Sequence, residues 1–287
     1  MTEGCLKPFL RWAGGKSKIV HHLLRYVPAE FDRYWEPFLG AGALFFALAP
    51  TEAFLSDLNR DLIECYRQVR KNPKLVNHYL KEHLSGTSEH YYYEVRNQYN
   101  RSGPSAANAA RFIYLNKTSF NGIFRVNLRG EYNVPYGHKN PPALPSLAQL
   151  KAASAFLEKA ILYAESYDVA LKKNPPRVGD FVYLDPPYPK LSETSYFTHY
   201  TASRFSWQDQ ERLAEVAESL NQRGCLIMVS NADLESVRGL YTGWHHHPLP
   251  VVRWISANGK RYEARELVIT NYAAEPFHAT ENLERSN

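Results

Sequence analysis

The stretch Gly179-Asp180-Phe181-Val182-Tyr183-Leu184-Asp185-Pro186-Pro187-Tyr188 constrains the fold more than any other. Phe181 to Leu184 have the β-branched and aromatic character of a strand buried in a sheet. Two consecutive prolines cannot donate to a β-ladder, so the strand has to stop at them. Asp185 therefore lies at the carboxyl end of a strand, where open α/β sheets place their ligands. The prolines hold an extended backbone with carbonyls free to accept hydrogen bonds, and Tyr188 adds a flat ring for stacking. Taken alone, the four residues from Asp185 to Tyr188 are equally compatible with a solvated turn after a strand.

A second constraint lies upstream. Tyr34 to Leu44 reads as a strand, a turn through Gly40 and Gly42, then a helix over Ala43 to Leu48. A strand over Ala53 to Ser56 follows and ends on Asp57, an acid placed to accept both ribose hydroxyls of a nucleoside cofactor. Without a second glycine pair, an adenosyl cofactor fits better than a dinucleotide. Near the start, Gly14 and Gly15 permit close backbone approach to a ligand, and Lys16 is available for a carboxylate. Gly14-Gly15-Lys16-Ser17 is not a phosphate loop, because Leu10 stands where that motif requires its first glycine. A helix carrying Ile19, Leu23 and Leu24 is expected up to Pro28.

From Asn59 the pattern becomes helical: Asp61 to Val69, Pro73 to His83, His90 to Asn100 and Arg111 to Asn116, with a loop over Ser102 to Ala107 and a turn or hairpin over Arg129 to Gly137. Residues 95–157 carry eight Lys/Arg against one acid, Glu131, although the whole chain is only +5. Basic side chains interleaved with Asn and aromatics suit phosphates and bases better than a merely solvated face. Beyond it, Ala160 to Ala164 reads as a strand. A polar loop runs from Leu191 to Phe205, and Ser206 with Asp209 forms a capping box for a helix over Gln210 to Arg223. Strands are expected over Leu226 to Ser230, Val251 to Ser256 and Glu266 to Tyr272, the last two closing a hairpin around Asn258-Gly259. His245, His246 and His247 read as strand residues alternating between faces rather than as metal ligands.

The three cysteines, Cys5, Cys65 and Cys225, are too dispersed for a disulfide framework or a zinc site, and 44% hydrophobic with 22% charged residues is ordinary for a globular chain. No stretch has the length of a signal or membrane segment, so a soluble cytoplasmic protein is expected.

Set together, Arg11-Trp12-Ala13-Gly14-Gly15-Lys16, Glu36 to Gly42, Asp57, Phe120 to Arg125, Asn133 to Gly137, Asp185 to Tyr188 and Leu191 to Thr198 resemble the Dam-type (D12 class, α-group) DNA adenine-N6 methyltransferases over nearly the whole chain. The resemblance implies an α/β fold, a Rossmann-like S-adenosylmethionine-dependent methyltransferase sheet with a mainly helical DNA-recognition insertion. Residues 1–60 and 160–274 would form the catalytic domain, 61–159 the target-recognition domain, and 275–287 a tail. It implies that Trp12, Lys16, Asp57 and Asp185 contact S-adenosylmethionine, that Ala13, Gly14, Gly15, Glu36, Phe38, Gly40 and Gly42 line the same pocket, and that Ser166 and Tyr167 lie near the adenine ring. Arg11 would reach a guanine; Ile123, Arg125 and Pro135 would read later base pairs of a site for which GATC is favoured. Phe120 and Asn121 would sit where a base is flipped, with Asn133 beside them; Phe124 is uninformative.

The implied reaction is direct methyl transfer to adenine N6 in duplex DNA without a metal, leaving S-adenosylhomocysteine. Asp185 and the Pro186 carbonyl would hold the amine, Pro187 would rigidify the loop, and Tyr188 would stack on the base. The implied partner is double-stranded DNA, bound in the cytoplasm at the nucleoid by a monomer, with a cognate restriction endonuclease as a further candidate. Cytosine-N4 and protein-glutamine enzymes, whose tetrapeptides more often begin with Ser and Asn, and a non-catalytic DNA-binding protein of the same fold are the alternatives.

Overall fold

The computed structural model describes residues 6–84, 88–138, 143–189, 205–257 and 260–274, and of 252–257 and 260–264 the backbone alone. In chain order the elements are α1 (Val20–Leu23), β1 (Tyr34–Glu36), α2 (Ala43–Leu48), β2 (Ala53–Ser56), α3 (Arg60–Lys71), α4 (Pro73–Glu82), α5 (Glu89–Arg101), α6 (Ala106–Thr118), α7 (Leu147–Leu157) and β3 (Ala160–Tyr163). There follow α8 (Tyr167–Lys173), β4 (Phe181–Leu184), α9 (Trp207–Gln222), β5 (Leu226–Ala232), α10 (Glu235–Leu240), β6 (His245–Ala257) and β7 (Lys260–Thr270). The expected α/β class holds. None of the described helices is long and apolar enough to cross a membrane.

The chain divides into two compact units, each made of two segments. The first comprises residues 1–18 and 38–170. In it β2 and β3 pair in parallel, Ala53 opposite Ala160 through Ser56 opposite Tyr163. Parallel pairing puts both carboxyl ends, and so Asp57 and Ser166, at one end of the pair. From α3 to α7 the described residues are helical apart from one hairpin. Each of these helices has a side-chain cap, because Asn59, Asn72, Ser88, Ser105 and Ser146 each accept a hydrogen bond from the third residue beyond. Helix α3 buries Leu62, Ile63, Cys65, Tyr66 and Val69 on one stripe. Its outer arginines tie it to β3, with Arg67 Nη2 donating to Leu162 O and Arg70 Nη1 to Ala160 O, both at 2.9 Å.

The second unit comprises residues 19–37 and 171–287. Here β1, β4 and β5 run parallel, and β7 and β6 continue antiparallel from β5. Strands β1 and β4 are buried along their length, as a parallel strand covered on both faces requires. Before β1 and β4 begin, Arg33 grips Asp180 with Nε at 3.0 Å and Nη2 at 2.5 Å. Trp35 Nε1 and Arg177 N also donate to that carboxylate, which is 1% exposed. Before α9, the Ser206–Asp209 capping box is present in both directions.

Several elements differ from expectation. The helix drawn over Ile19 to Pro28 is a four-residue α1 between two 3₁₀ turns, Lys16–Lys18 and Leu24–Tyr26. Ile19 stands at φ −118°, outside helical geometry, and offers no side-chain cap, so its apolar spacing does not propagate a helix. Helix α6 starts at Ala106 rather than Arg111, because Ser105 caps it inside the expected loop. The turn expected from Arg129 closes earlier, with Gly130 N–H donating to Asn127 O at 3.0 Å, and its arms pair through the isolated bridges Val126–Tyr132 and Ser119–Tyr136. Helices α7, α8 and α10 were not marked out by periodicity. Strand β6 begins at His245, six residues early, running through a register shift between Pro248 and Val252. His245 and His247 share a face there with their rings 6.3 Å apart, and His246 bonds to Tyr241 O, as alternating strand residues do. Cys65 and Cys225 are buried free thiols; Cys5, the loop from Leu191 to Arg204 and the Asn258-Gly259 turn lie outside the described residues.

Candidate functional site

In the first unit the glycine turn between Phe38 and α2 is fixed from several sides. Leu39 N–H donates to Ser56 O at 2.8 Å, and Gly42 N–H to Leu39 O at 2.7 Å. Gly40 N–H donates to Asp57 Oδ2 at 2.9 Å, and Gly40 O accepts from Tyr66 Oη at 2.9 Å. Gly40 has φ +48°, and a Cβ there would stand 2.9 Å from Trp12 Cδ1, so only glycine lets the turn lie against the indole. Phe124 stacks on Trp12, centroids 5.8 Å apart. Phe124, uninformative in the sequence, thus helps to hold the expected pocket.

Asp57 Oδ1 accepts from Asn59 N at 2.8 Å. Each carboxylate oxygen therefore holds one backbone N–H and retains acceptor capacity for a hydroxyl. Burial raises the Asp57 pKa, and the two N–H donors act against that shift. Beside it, after β3, Tyr167 and Phe38 stack with centroids 5.2 Å apart, and Ser166 Oγ donates to Asp168 Oδ1 at 2.6 Å. A carboxylate held by backbone, a glycine turn and an aromatic pair are the parts a nucleoside requires. The Arg11 to Lys16 segment turns back with Gly15 N–H on Trp12 O at 3.0 Å; Ala13, Gly14 and Gly15 are exposed, whereas Lys16 is buried with Nζ 3.2 Å from Gly14 O. Gly14, at φ +75°, shapes this turn.

In the second unit the buried β4 delivers Asp185 at its carboxyl end, half-buried, followed by buried Pro186, exposed Pro187 and half-buried Tyr188. Glu36 ends the neighbouring β1, 2% exposed, and Tyr34 Oη donates to its Oε2 at 2.8 Å. Burial and the Glu36 carboxylate push the Tyr34 hydroxyl well above its usual pKa. Burial and the Asp185 carboxylate do the same to Tyr183, whose hydroxyl lies 2.9 Å from Ser230 Oγ. Both phenols therefore stay protonated beside the carboxylates. The tetrapeptide is held by residues that no motif contains. Gln210 Nε2 donates to Pro187 O at 2.7 Å, Asn231 Nδ2 to Gln210 Oε1 at 3.0 Å, and Tyr188 Oη donates to Glu266. Gln210, Asn231 and Glu266 are buried polar side chains. Only their partners, 21 to 78 residues away, reveal their role.

The residues expected to read DNA gather in the first unit. Asn116, 4% exposed, clamps Arg11 by both peptide groups, with its Oδ1 accepting from Arg11 N at 2.8 Å and its Nδ2 donating to Arg11 O at 2.7 Å. Arg11, Phe120, Asn121, Arg125 and Pro135 are exposed, and Ile123 and Asn133 are half-buried. Asn121 is left-handed, φ 55°, which turns the chain sharply between exposed Phe120 (53%) and Gly122. Arg125 donates through Nε to Asn133 Oδ1 at 2.7 Å and through Nη2 to Asn133 O at 3.1 Å. Behind this surface Tyr92 Oη and Arg96 Nη1 both donate to Val134 O, and Asn100 pairs with both peptide groups of Tyr132. Helix α5 is thus the hairpin's support.

Comparison with known proteins converges on one group. The family model for D12 class N6 adenine-specific DNA methyltransferase matches residues 12–255. Similar chains include a type II methyltransferase, M1.LlaDCHI, of Lactococcus lactis subsp. cremoris, 36% identical over 273 residues that cover 93% of this chain and 96% of that one. Another type II methyltransferase, M.MjaIII of Methanocaldococcus jannaschii, is 36% identical over 289 residues, covering 93% and 99%. The DNA adenine methylase of Escherichia coli K12 is 35% identical over 255 residues, covering 88% and 90%.

Proposed function

The chain belongs to the D12 class of N6 adenine-specific DNA methyltransferases, and from that premise we propose that it methylates adenine N6 in duplex DNA, within GATC, using S-adenosylmethionine and a flipped base. The observation that carries this reading is the fixed strand end: Asp185 follows a fully buried strand, and the next three residues are locked by two proline rings and anchored at Pro187 O and the Tyr188 hydroxyl.

When bound, S-adenosylmethionine supplies the methyl group. The family resemblance names Trp12, Ala13, Gly14, Gly15, Lys16, Glu36, Phe38, Gly40, Gly42, Asp57, Ser166, Tyr167 and Asp185 as the residues that would hold it. Asp57 fits a ribose through its remaining lone pairs, and the Phe38–Tyr167 pair suits a planar base. Adenine N6 is inaccessible inside a duplex, so the base has to leave the stack. Tyr188 stacks on it, while the Asp185 carboxylate and the Pro186 carbonyl accept the two amino hydrogens. That directs the nitrogen lone pair and offsets the positive charge growing on nitrogen.

Residues 61–159 are the target-recognition domain in this reading, with residues 1–60 and 160–274 catalytic. Arg11 reads a guanine, Ile123, Arg125 and Pro135 read later base pairs, Phe120 and Asn121 occupy the gap left by the flipped base, and Asn133 contacts DNA from the same hairpin. The enzyme acts as a monomer on cytoplasmic DNA. The type II names of two relatives support pairing with a restriction endonuclease.

The test is single-turnover transfer of labelled methyl to a duplex with one GATC, beside duplexes altered at each position. Methyladenine confined to the intact site is expected. Label on adenine in another sequence would keep the chemistry and overturn the readings of Arg11, Ile123, Arg125 and Pro135. No transfer to any DNA would overturn the substrate.

A further inference from the structure

We propose that Gln210 and Glu266 are positioning residues for Tyr188, Gln210 setting its backbone and Glu266 its ring; this rests on Tyr188 being the platform for the target base. The backbone of Asp185 to Tyr188 has few free torsions. The rings of Pro186 and Pro187 lock φ near −65° at both. What then sets the course of the chain from Pro187 into Tyr188 is ψ of Pro187, and the direction of the Pro187 carbonyl is that torsion made visible. Gln210 Nε2 donates to this carbonyl at 2.7 Å.

The donor is itself oriented by an ordered series of hydrogen bonds. Ala232 N–H can only donate, and it reaches Asn231 Oδ1 at 2.8 Å. The Asn231 amide must therefore present Nδ2 at its other end, where it donates to Gln210 Oε1 at 3.0 Å. Gln210 must in turn present Nε2 to Pro187. Gln210 is 1% exposed and Asn231 fully buried, so water does not compete for these groups. The ring of Tyr188 is held separately, its hydroxyl donating to the fully buried Glu266. Ala232 and Glu266 are directly opposite each other in the β5–β7 ladder. One rung of that ladder thus starts the series that fixes the Tyr188 backbone and also carries the carboxylate that fixes its ring.

If these side chains merely satisfied one another in a core, their loss would lower stability and leave the folded enzyme's chemistry intact. A positioning role gives a different pattern, because small displacements of a group that orients a reacting atom are costly in turnover. Glu266→Leu and Gln210→Met are each expected to lower kcat roughly tenfold to a hundredfold, with KM for S-adenosylmethionine unchanged. Glu266→Gln keeps an oxygen for the tyrosine hydroxyl and should retain most of the activity. In a Tyr188→Phe background, Glu266→Leu should cost nothing further, since the hydroxyl it serves is gone, whereas Gln210→Met should still lower kcat.

An equal loss from Glu266→Leu in both backgrounds would overturn the assignment of Glu266, and full kcat in Gln210→Met would overturn that of Gln210. Should Glu266→Leu not fold, Tyr188→Phe alone decides the ring's tether, because it removes the same hydrogen bond while keeping the ring; wild-type kcat there overturns it. The underlying function fails separately, by the wild-type chain methylating no adenine, and the positioning claim falls with it.

Discussion

At the scale of the residue, the site rests on a few groups whose remaining hydrogen-bonding capacity is defined by what already holds them. Asp185 carries the largest expected effect: Asp185→Ala should lower single-turnover methylation by about 10²–10³ or more while the unfolding transition stays in place. Wild-type turnover in that variant would remove the carboxylate from the mechanism. Arg125 offers a finer test. Asn133 takes Nε and one hydrogen of Nη2, so the edge formed by Nη1 and the outer Nη2 hydrogen is left to face a base. Arg125→Ala should lower discrimination at one base pair by ~1–3 kcal/mol, read as relative rates on singly altered duplexes. A uniform loss across all duplexes would make it a phosphate contact. Asp57, Gly40 and Asp185 were legible because each stands at a strand end or turn that local chemistry marks. Gln210, Asn231 and Glu266 were not, because a buried amide or carboxylate in a helix or strand looks like any polar residue until its distant partner is known. Asn133 was legible as a hairpin residue, but not as the partner of Arg125.

At the scale of the element, β1 and β4 depend on a charge pair at their starts. The Asp180 carboxylate is nearly inaccessible and takes donors from Arg33, Trp35 and Arg177, so removing it strands several of them at once. Asp180→Ala should cost ~3–5 kcal/mol in urea unfolding, because a partly buried guanidinium loses its partner. A cost below ~1 kcal/mol would mean that the pair is solvated in the native state. Elements with a strong local stop or start were read closely at that point: β2 ending before Asp57, α4 opening on Asn72 and Pro73, and the capping box ahead of α9, although that helix begins at Trp207, three residues before the expected Gln210. The turns around α1 were misread because spacing alone, without a cap, does not nucleate a helix. Helix α7 is rich in apolar residues on more than one side, so no single stripe distinguished it.

At the scale of the whole molecule, two ordinary solution variables report on the fold. His83 is buried beside Tyr91 and Tyr114, and burial, with the Arg111 charge adding to it, pushes its pKa down to about 4. Its folded pKa lies below the unfolded value of about 6.5, so the unfolded chain binds the extra proton first. The contribution of this neutral imidazole is complete above pH ~6.5 and declines as the pH falls toward about 4. His83→Gln should flatten that part of the stability profile between pH 4 and 7; an unchanged slope would place the titration elsewhere. Ionic strength is the second variable. The basic stretch over 95–157 predicts DNA affinity that falls steeply and linearly on a log–log plot against salt.

The order of strands in the second unit has a consequence for how the molecule is made. Strand β7, which follows β6 in the chain, lies between β5 and β6. A ribosome adding about 5–20 residues per second delivers β5 and then β6 before the strand that pairs with both. During that interval β5 presents a bare edge, the kind of template on which chains join one another. The same late strand brings Glu266, so the nascent enzyme gains its closed edge and its anchored tyrosine in one step. A message truncated before the codon for Lys260 would therefore leave the β5 edge open and remove the Glu266 anchor of Tyr188 together.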